Sequence, residues 1–236
     1  MKSAAYYIPI LGYHRVGLFR GDHVPTVSAG TFERQLALLA RKRVRVIGLE
    51  AVADALERGN DLPRHSTVIT FDDGYEETCT VAWPLLKRFG FPSTVFVTPG
   101  ELETSGFMTW AQTKQMANDG VTIGSHTMHH SYLPLVEEGR LNEELVESKR
   151  VIERQIDRPV QFISYPIGGF TPKVQAVVQQ AGYRAACTTN RRSSAKGIDR
   201  YALRRVKVTE RDTHWLTLWA KVSGYYDLFR QLKEPG

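Results

Sequence analysis

The sequence has few cysteines, no low-complexity segment and no long apolar run. Cys79 and Cys187 are its two cysteines. They are far apart in the chain and form no C-x-x-C pair, so neither a disulfide framework nor a cysteine zinc site is predicted. No stretch approaches the roughly 20 consecutive apolar residues that span a bilayer. These absences argue against a disulfide-stapled secreted domain and against an integral membrane protein.

The first residues also lack the features of an export signal. Met1 to Leu11 contain one lysine, and Pro9 interrupts the short apolar stretch there. Together with the scarcity of cysteine, this pattern favours a reducing, cytoplasmic location.

The sequence has fewer acidic than basic residues, 25 against 31, so its formal net charge is +6 at pH 7. Basic residues cluster at Arg41 to Arg45, at Arg191-Arg192 and at Arg204 to Lys207. Such clusters are usually solvated faces, but they also suit an anionic partner, such as a membrane surface or a phosphate-linked glycan. No nucleic-acid-binding module accompanies them, so nucleic acid is not predicted as a partner.

Predicted strands and helices alternate along the whole chain of 236 residues. One helix is expected to be capped by Thr31, and the apolar spacing of Leu141, Leu145, Ser148 and Ile152 predicts another. The predicted strands are Ile8 to Tyr13, Val44 to Ile47, Thr67 to Phe71, Ser93 to Val97, Val121 to Ile123, Val160 to Ser164, Tyr183 to Thr188 and Tyr201 to Val208. This alternation predicts a single α/β domain, residues 1–236, built as a parallel barrel of about seven or eight strands.

The stretch Thr67 to Tyr75 is expected to organise the molecule. Its apolar residues suit a buried parallel strand, which ends at Asp72 and Asp73. Gly74 allows a sharp turn, so that both carboxylates can face one cavity. Two neighbouring anions repel each other and therefore need a cation or a shared proton. Because Asp-Asp-Gly also ends strands in ordinary turns, this stretch alone leaves both interpretations open.

His126 and His130 are four residues apart, directly after another predicted strand. On a helical turn this spacing places both imidazoles on one side. With one carboxylate they would form a facial metal site that leaves positions open for water and substrate. Alone, such a pair more often represents surface or core histidines, but the Asp-Asp-Gly at an earlier strand end favours a metal site. His129 is an alternative ligand.

The sequences T-F-D-D-G at Thr70 to Gly74 and H-T-M-H-H at His126 to His130 resemble the polysaccharide deacetylase family with its NodB homology domain, also known as carbohydrate esterase family 4. The resemblance extends from about Ile8 to Val208. It implies a distorted (β/α) barrel with its site at the carboxyl ends of the strands. It also implies that Asp72 is the general base, and that one divalent metal ion, expected to be zinc, is held by Asp73, His126 and His130.

The third motif of that family is an Arg-Pro-Pro-Tyr-Gly-like segment, and here the matching residues are Ser164-Tyr165-Pro166-Ile167-Gly168. The arginine, which in the family holds the catalytic aspartate, is missing. The family's oxyanion contact is a backbone N–H, so Ile167 can still supply it, with Tyr165 in the same pocket. Arg205 is a candidate to replace the missing cation, and a solvated basic strand end is the alternative.

The N-terminal segment P-I-L-G-Y-H-R-V resembles the branch of the family that deacetylates poly-N-acetylglucosamine, which makes His14 the candidate general acid. His129 and His214 are alternatives, although His214 is more simply explained by capping or packing at a helix start. Trp110 and Trp215 could stack on a sugar ring, or anchor helix starts against the core.

The resemblance implies a metal-dependent hydrolase that removes the N-acetyl group of an N-acetylated sugar. Since no export signal is recognised, a lipid-linked or nucleotide-linked glycan precursor is expected more than an extracellular polymer. One alternative is a deformylase or another small-amide hydrolase of the same fold. Another is a catalytically weak carbohydrate-binding module, against which the intact Asp72 argues, because binding alone requires no base.

Overall fold

The computed structural model describes residues 8–18, 23–189 and 198–223. In chain order its strands are β1 (Ile10–Tyr13), β2 (Arg15–Val16), β3 (Thr26–Val27), β4 (Arg45–Val46), β5 (Ser66–Phe71), β6 (Thr94–Val97), β7 (Thr122–Ser125), β8 (Phe162–Ser164), β9 (Ala185–Thr188) and β10 (Leu203–Lys207). Strands β5 to β10 pair in sequence, and β1 pairs with both β5 and β10. Seven parallel strands therefore close into a barrel.

The remaining strands lie at the margins of the barrel. Strand β4 pairs with the first residues of β5, and β2 and β3 form a separate parallel pair. The eight strands predicted from the sequence are all present, and the expected barrel of seven or eight strands is confirmed with seven.

The helices are α1 (Ala29–Arg41), α2 (Leu49–Arg58), α3 (Trp83–Phe89), α4 (Trp110–Asn118), α5 (Glu138–Asn142), α6 (Ser148–Ile156), α7 (Pro172–Gln180) and α8 (Trp215–Val222). A π-helical segment, Thr78–Ala82, leads into α3, and another, Glu143–Glu147, joins α5 to α6. Short 3₁₀ turns occur at Leu133–Leu135 and Pro166–Gly168. Within the described ranges, none of the helices has the length and apolar character needed to cross a bilayer.

Two details differ from the sequence prediction. The N-cap of α1 is Ser28, whose side chain accepts a hydrogen bond from the Thr31 N–H, so Thr31 is not the cap. Thr31 lies inside the first turn and is buried, and its hydroxyl donates to Glu210. The helix predicted from Leu141 to Ile152 is present, but the π-helical segment interrupts it.

Alternation along β5 explains how the strand delivers a carboxylate to the barrel. Val68 belongs to a cluster that includes Phe96 and Phe162 and is covered by α2, whereas Ile69 and Phe71 pack with the outer helices. Since successive side chains of a strand point to opposite faces, Thr70 and Asp72 follow Val68 on the inner face. Asp72, the residue directly after β5, therefore takes the next inward position.

Candidate active site

An open cleft of about 430 Å³ lies at the carboxyl ends of the barrel strands. It is lined by His14, His23, Val24, Pro25, Asp72, Asp73, Tyr75, His126, His130, Tyr165, Ile167, Gly168, Thr189 and Arg205. Six of these residues immediately follow, or belong to, strands that were predicted from the sequence. Functional groups in parallel barrels gather at this end because the strand ends and the following loops meet there.

Asp72 and Arg205 form a buried ion pair at the base of the cleft. The guanidinium of Arg205 donates from Nη1 to Oδ1 at 2.7 Å and from Nη2 to Oδ2 at 2.5 Å. It also donates to the Ser164 hydroxyl at 2.9 Å and to the Thr70 hydroxyl at 3.2 Å. Only 2% of Asp72 and 4% of Arg205 are exposed. Arg205 is therefore not a solvated basic strand end, and it makes the aspartate contact for which the third motif lacks an arginine.

The ion pair determines the protonation state of Asp72. Burial alone would raise the pKa of this carboxyl, but the facing Arg205 guanidinium holds the pKa far below its ordinary value. Asp72 is therefore an ionised, oriented carboxylate over the whole neutral pH range.

Asp73, His126 and His130 converge beside that pair. The Asp73 Oδ1 atom lies 3.4 Å from Nε2 of His126 and 3.4 Å from Nε2 of His130. The potential ligand atoms all lie within 4.8 Å of one another. Oδ1 is buried and has no hydrogen-bond partner among the described residues. A carboxylate oxygen and two imidazole nitrogens are donors that Zn²⁺ accepts, so the cluster fits a divalent metal ion.

A hydrogen bond from Nδ1 of His126 orients its ring so that Nε2 can bind a metal ion. His126 Nδ1 lies 2.7 Å from the carbonyl oxygen of Ser164, so Nδ1 carries the proton and donates it there. The lone pair of Nε2 then faces Asp73 and His130. Metal-binding histidines commonly have such an outer hydrogen bond, because it fixes both tautomer and orientation.

The protonation of the cluster also suits a cation. Burial, followed by the charge of Asp72, raises the pKa of Asp73 to about 6, and burial lowers the pKa of His126 to about 4. Burial likewise lowers the pKa of His130. Neutral imidazoles are the form that binds metal. Burial and the nearby Asp72 charge disfavour the Asp73 carboxylate, so a cation beside it would stabilise its ionised form.

Metal affinity should therefore fall as the pH falls through about 6. Below the raised pKa of Asp73 a proton competes for the ligand oxygen, so apparent affinity should drop by about tenfold per pH unit. Titrating Zn²⁺ into the metal-free protein between pH 7.5 and pH 5 measures this slope. An affinity that is constant across that range would contradict the assignment of Asp73 as a ligand.

Residues 59–186, which are more than half of the 236-residue chain, match the family model described as polysaccharide deacetylase. The chain belongs to the polysaccharide deacetylase family. This confirms the family resemblance that the T-F-D-D-G and H-T-M-H-H sequences indicate.

Relatives with names and structures agree with this membership. YxkH of Bacillus subtilis (strain 168) is 27% identical over 202 residues, which cover 86% of this chain and 71% of YxkH. The poly-beta-1,6-N-acetyl-D-glucosamine N-deacetylase of Staphylococcus aureus (strain MRSA252) is 22% identical over 199 residues, covering 78% of this chain and 68% of that protein.

Solved structures support the fold. The structure of IcaB from Ammonifex degensii superposes with a TM-score of 0.76 at 26% identity, covering 90% of this chain and 96% of that chain. The Streptococcus pyogenes deacetylase PplD superposes with a TM-score of 0.83 at 24% identity, covering 91% of this chain and 97% of that one.

The two histidines of this family member do not lie on a helical turn, as their spacing suggested. Residues 126–130 form an irregular loop in which Thr127 has φ 69° and His130 has φ 55°. Asp73 is also left-handed, with φ 73°. Non-glycine residues in this region are uncommon and concentrate at functional sites. The backbone reversals, and not helical periodicity, bring the side chains together.

The alternative ligand His129 lies outside the metal cluster. Its ring contacts Glu144, with Nδ1 3.1 Å from Oε1, and its side chain is 45% exposed. Adjacent residues on the loop point in different directions, so His129 cannot join the cluster while His130 does.

Three other residues predicted for the pocket line the cleft. His14 and Tyr165 line the cleft, and the Tyr165 hydroxyl donates to the Tyr201 carbonyl at 3.0 Å. Ile167 also lines it, with φ 58° and 73% exposure. His23 also lines the cleft, although no sequence feature near it indicates a strand end or a site residue.

Both tryptophans and His214 lie away from the cleft lining. Trp110 is the first residue of α4 and packs against the core, and Trp215 is the first residue of α8. Trp110 is not among the residues that line the cleft in the described part of the chain, and its place in a substrate pocket stays a prediction. His214 is the exposed N-cap residue of α8, but its side chain makes no capping hydrogen bond.

Proposed function

We propose that this chain is a metal-dependent N-deacetylase that hydrolyses the N-acetyl group of an N-acetylated sugar in a glycan or glycan precursor. The observation that carries the proposal is that the ionised Asp72, held by Arg205, shares one cleft with the Asp73, His126 and His130 cluster. The family membership and the name of the Staphylococcus aureus relative support a glycan N-acetyl group as the target.

Asp73, His126 and His130 would hold the metal ion, for which zinc is the expected identity. When bound, such an ion polarises an amide carbonyl and lowers the pKa of water. Two protein ligands are neutral and one is anionic, so the site keeps a net positive charge with a divalent ion. That charge is opposite to the oxyanion that develops in amide hydrolysis.

The residues around the cluster have separate tasks. Asp72 accepts a proton from the water that attacks the amide carbon, and Arg205 keeps the carboxylate oriented. The backbone N–H of Ile167 stabilises the oxyanion, a role consistent with the left-handed conformation that this β-branched residue adopts at the cleft. His14 protonates the nitrogen as the C–N bond breaks. The products are acetate and the free amino sugar.

The metal assignment is tested by removing ligands. His126→Ala and His130→Ala should each lose both the bound ion and turnover, since each variant leaves two ligands. His23→Ala is the matched control, because His23 lines the same cleft but lies outside the ligand cluster. Elemental analysis and acetate release are measured on the same preparations. Full metal occupancy in the two ligand variants would contradict the assignment.

The substrate class is tested with a panel of polymeric, lipid-linked and nucleotide-linked N-acetylated sugars. Acetate release from any of them supports a deacetylase, and the rates rank the three classes. Formate release from N-formyl analogues without acetate release would favour the deformylase alternative. Sugar binding without turnover by the metal-loaded protein would favour a binding module.

His14→Ala should retain the metal ion but lower kcat by roughly a hundredfold on an unactivated N-acetyl amide. An amine leaves poorly unless it is protonated, so removing the acid affects the chemical step. His214→Ala, at the exposed start of α8, should behave like the unmodified protein. A near-normal kcat in His14→Ala would exclude His14 as the general acid.

A further inference from the structure

We propose that Glu144 is a positioning residue that holds the metal-ligand loop, residues 128–131, and thereby places His130 in the cluster. The inference rests on the proposed function, since it assumes that His130 is a metal ligand. Glu144 belongs to none of the motifs by which the sequence resembles the family, and it lies 14 residues beyond His130 in the chain.

The carboxylate of Glu144 accepts hydrogen bonds from four donors of that loop. Oε2 accepts the backbone N–H groups of Met128 and His129, both at 3.0 Å. Oε1 accepts the Ser131 hydroxyl at 2.7 Å and contacts Nδ1 of His129 at 3.1 Å. The donors lie on both sides of His130 in the chain. One buried side chain therefore fixes the backbone before and after the ligand.

The burial and the location of Glu144 support this positioning role. It is 0% exposed, and its location in the π-helical segment Glu143–Glu147 is of a kind that often occurs at functional sites. Burial would raise its pKa, but the hydrogen bonds from Ser131 and His129 hold that pKa below its ordinary value. A buried carboxylate is costly unless it is fully hydrogen-bonded. Here its hydrogen-bond donors belong to the metal-ligand loop, and Arg140 adds a longer ion pair, with Nη2 3.9 Å from Oε1.

The two histidine ligands differ in how they are anchored. His126 is almost fully buried and is fixed through its own ring by the Ser164 carbonyl. The side chain of His130 is 39% exposed, and among the described residues none hydrogen-bonds to its imidazole. Its position therefore depends on the backbone of its loop, where it adopts φ 55°. The Ser164 carbonyl orients the His126 ring directly. Glu144 orients His130 indirectly, by holding the backbone of its loop.

The loop is also confined on its opposite side. The Gly100 N–H donates to the Met128 carbonyl at 2.9 Å, and a Cβ atom at Gly100 would lie only 2.8 Å from that oxygen. The metal-ligand loop is therefore held between the β6–α4 connection and Glu144. Losing Glu144 would remove four interactions at once and leave two backbone N–H groups to find new partners.

The test compares metal affinity with fold stability. Glu144→Ala should weaken Zn²⁺ binding by about 10- to 100-fold, as is typical for outer partners of metal ligands. Glu144→Gln keeps the shape and an acceptor for the two backbone N–H groups, so its affinity should lie between those of Glu144→Ala and the unmodified protein. Dissociation constants are measured by competition with a chromophoric chelator, and the thermal midpoint of each metal-free protein is recorded in parallel.

Glu153→Ala is the matched control. Glu153 lies on α6 of the same helical run and also accepts a backbone N–H, that of Val160 at 2.9 Å, but it does not contact the metal-ligand loop. It should lower the thermal midpoint without changing Zn²⁺ affinity. Equal losses of affinity in Glu153→Ala and Glu144→Ala would overturn the proposal in favour of general helix destabilisation.

A second comparison tests whether Glu144 acts through His130. His130→Ala should keep only weak Zn²⁺ binding through its two remaining ligands, measurable at high Zn²⁺ concentration. Adding Glu144→Ala to it should have little further effect on that residual affinity, because coupled residues are not additive. An unchanged affinity in Glu144→Ala, or in Glu144→Gln if the alanine variant does not fold, would overturn the inference. If the unmodified protein binds no Zn²⁺ at all, the proposed function itself fails, so the two failures are distinguishable.

Discussion

Asp72→Asn is expected to slow acetate release by about a hundred- to ten-thousand-fold while leaving one divalent ion bound per chain. The asparagine amide has nearly the shape of the carboxylate but cannot accept the proton of the attacking water. Asp72 lies beside the ligand cluster and not within it, so the metal should stay. Elemental analysis and turnover on the same sample measure the two effects separately.

Asp73→Asn provides the contrast, because a ligand and a base fail differently. The amide is a much weaker metal ligand than a carboxylate, so this variant should lose the ion and consequently its activity. Both variants need a check of folding, since Asp72→Asn leaves the Arg205 charge buried without its partner. Metal loss in Asp72→Asn together with metal retention in Asp73→Asn would mean that the two roles are reversed.

The barrel was predictable because its evidence is local. Each strand is a short apolar run bounded by polar residues, and periodicity detects such runs without knowledge of their neighbours. The Asp72 and Asp73 positions followed from the same local signal, a strand that ends in two carboxylates and a glycine. Even the marginal strand β4 was anticipated at Val44 to Ile47, although its pairing with only the start of β5 was not.

The side-chain contacts that the sequence could not establish join residues distant in the chain. Arg205 reaches Asp72 across 133 residues, and only closure of the barrel between β10 and β1 brings them together. In the sequence, Glu144 resembles an ordinary acidic residue on the polar face of an amphipathic helix. The neighbouring residues do not indicate that it is buried. The helical interpretation of His126 and His130 failed because left-handed residues, which follow no periodic pattern, shape their loop.

Arg205→Met is expected to destabilise the protein by about 3–5 kcal/mol, because it leaves the buried Asp72 carboxylate without its compensating cation. The methionine also cannot donate to Ser164 and Thr70, so two further buried hydroxyl groups lose a partner. Urea unfolding at pH 7 measures the loss. Arg184→Met is the matched control: Arg184 pairs with Asp54 and Glu57 at the surface, where such pairs contribute at most about 1 kcal/mol.

The pH dependence identifies the cause of this loss. In the unmodified protein the pKa of Asp72 is depressed, so its contribution to stability is present above the ordinary aspartate pKa and is lost as the pH falls. Without Arg205, burial raises that pKa instead, so protonation at low pH relieves the unpaired charge. The stability difference between the two proteins should therefore shrink as the solution is acidified.

Adding Asp72→Asn to Arg205→Met should restore part of the stability at pH 7, because the double variant contains neither charge. A loss no larger than that of Arg184→Met, or one that does not change with pH, would show that the pair contributes little to stability.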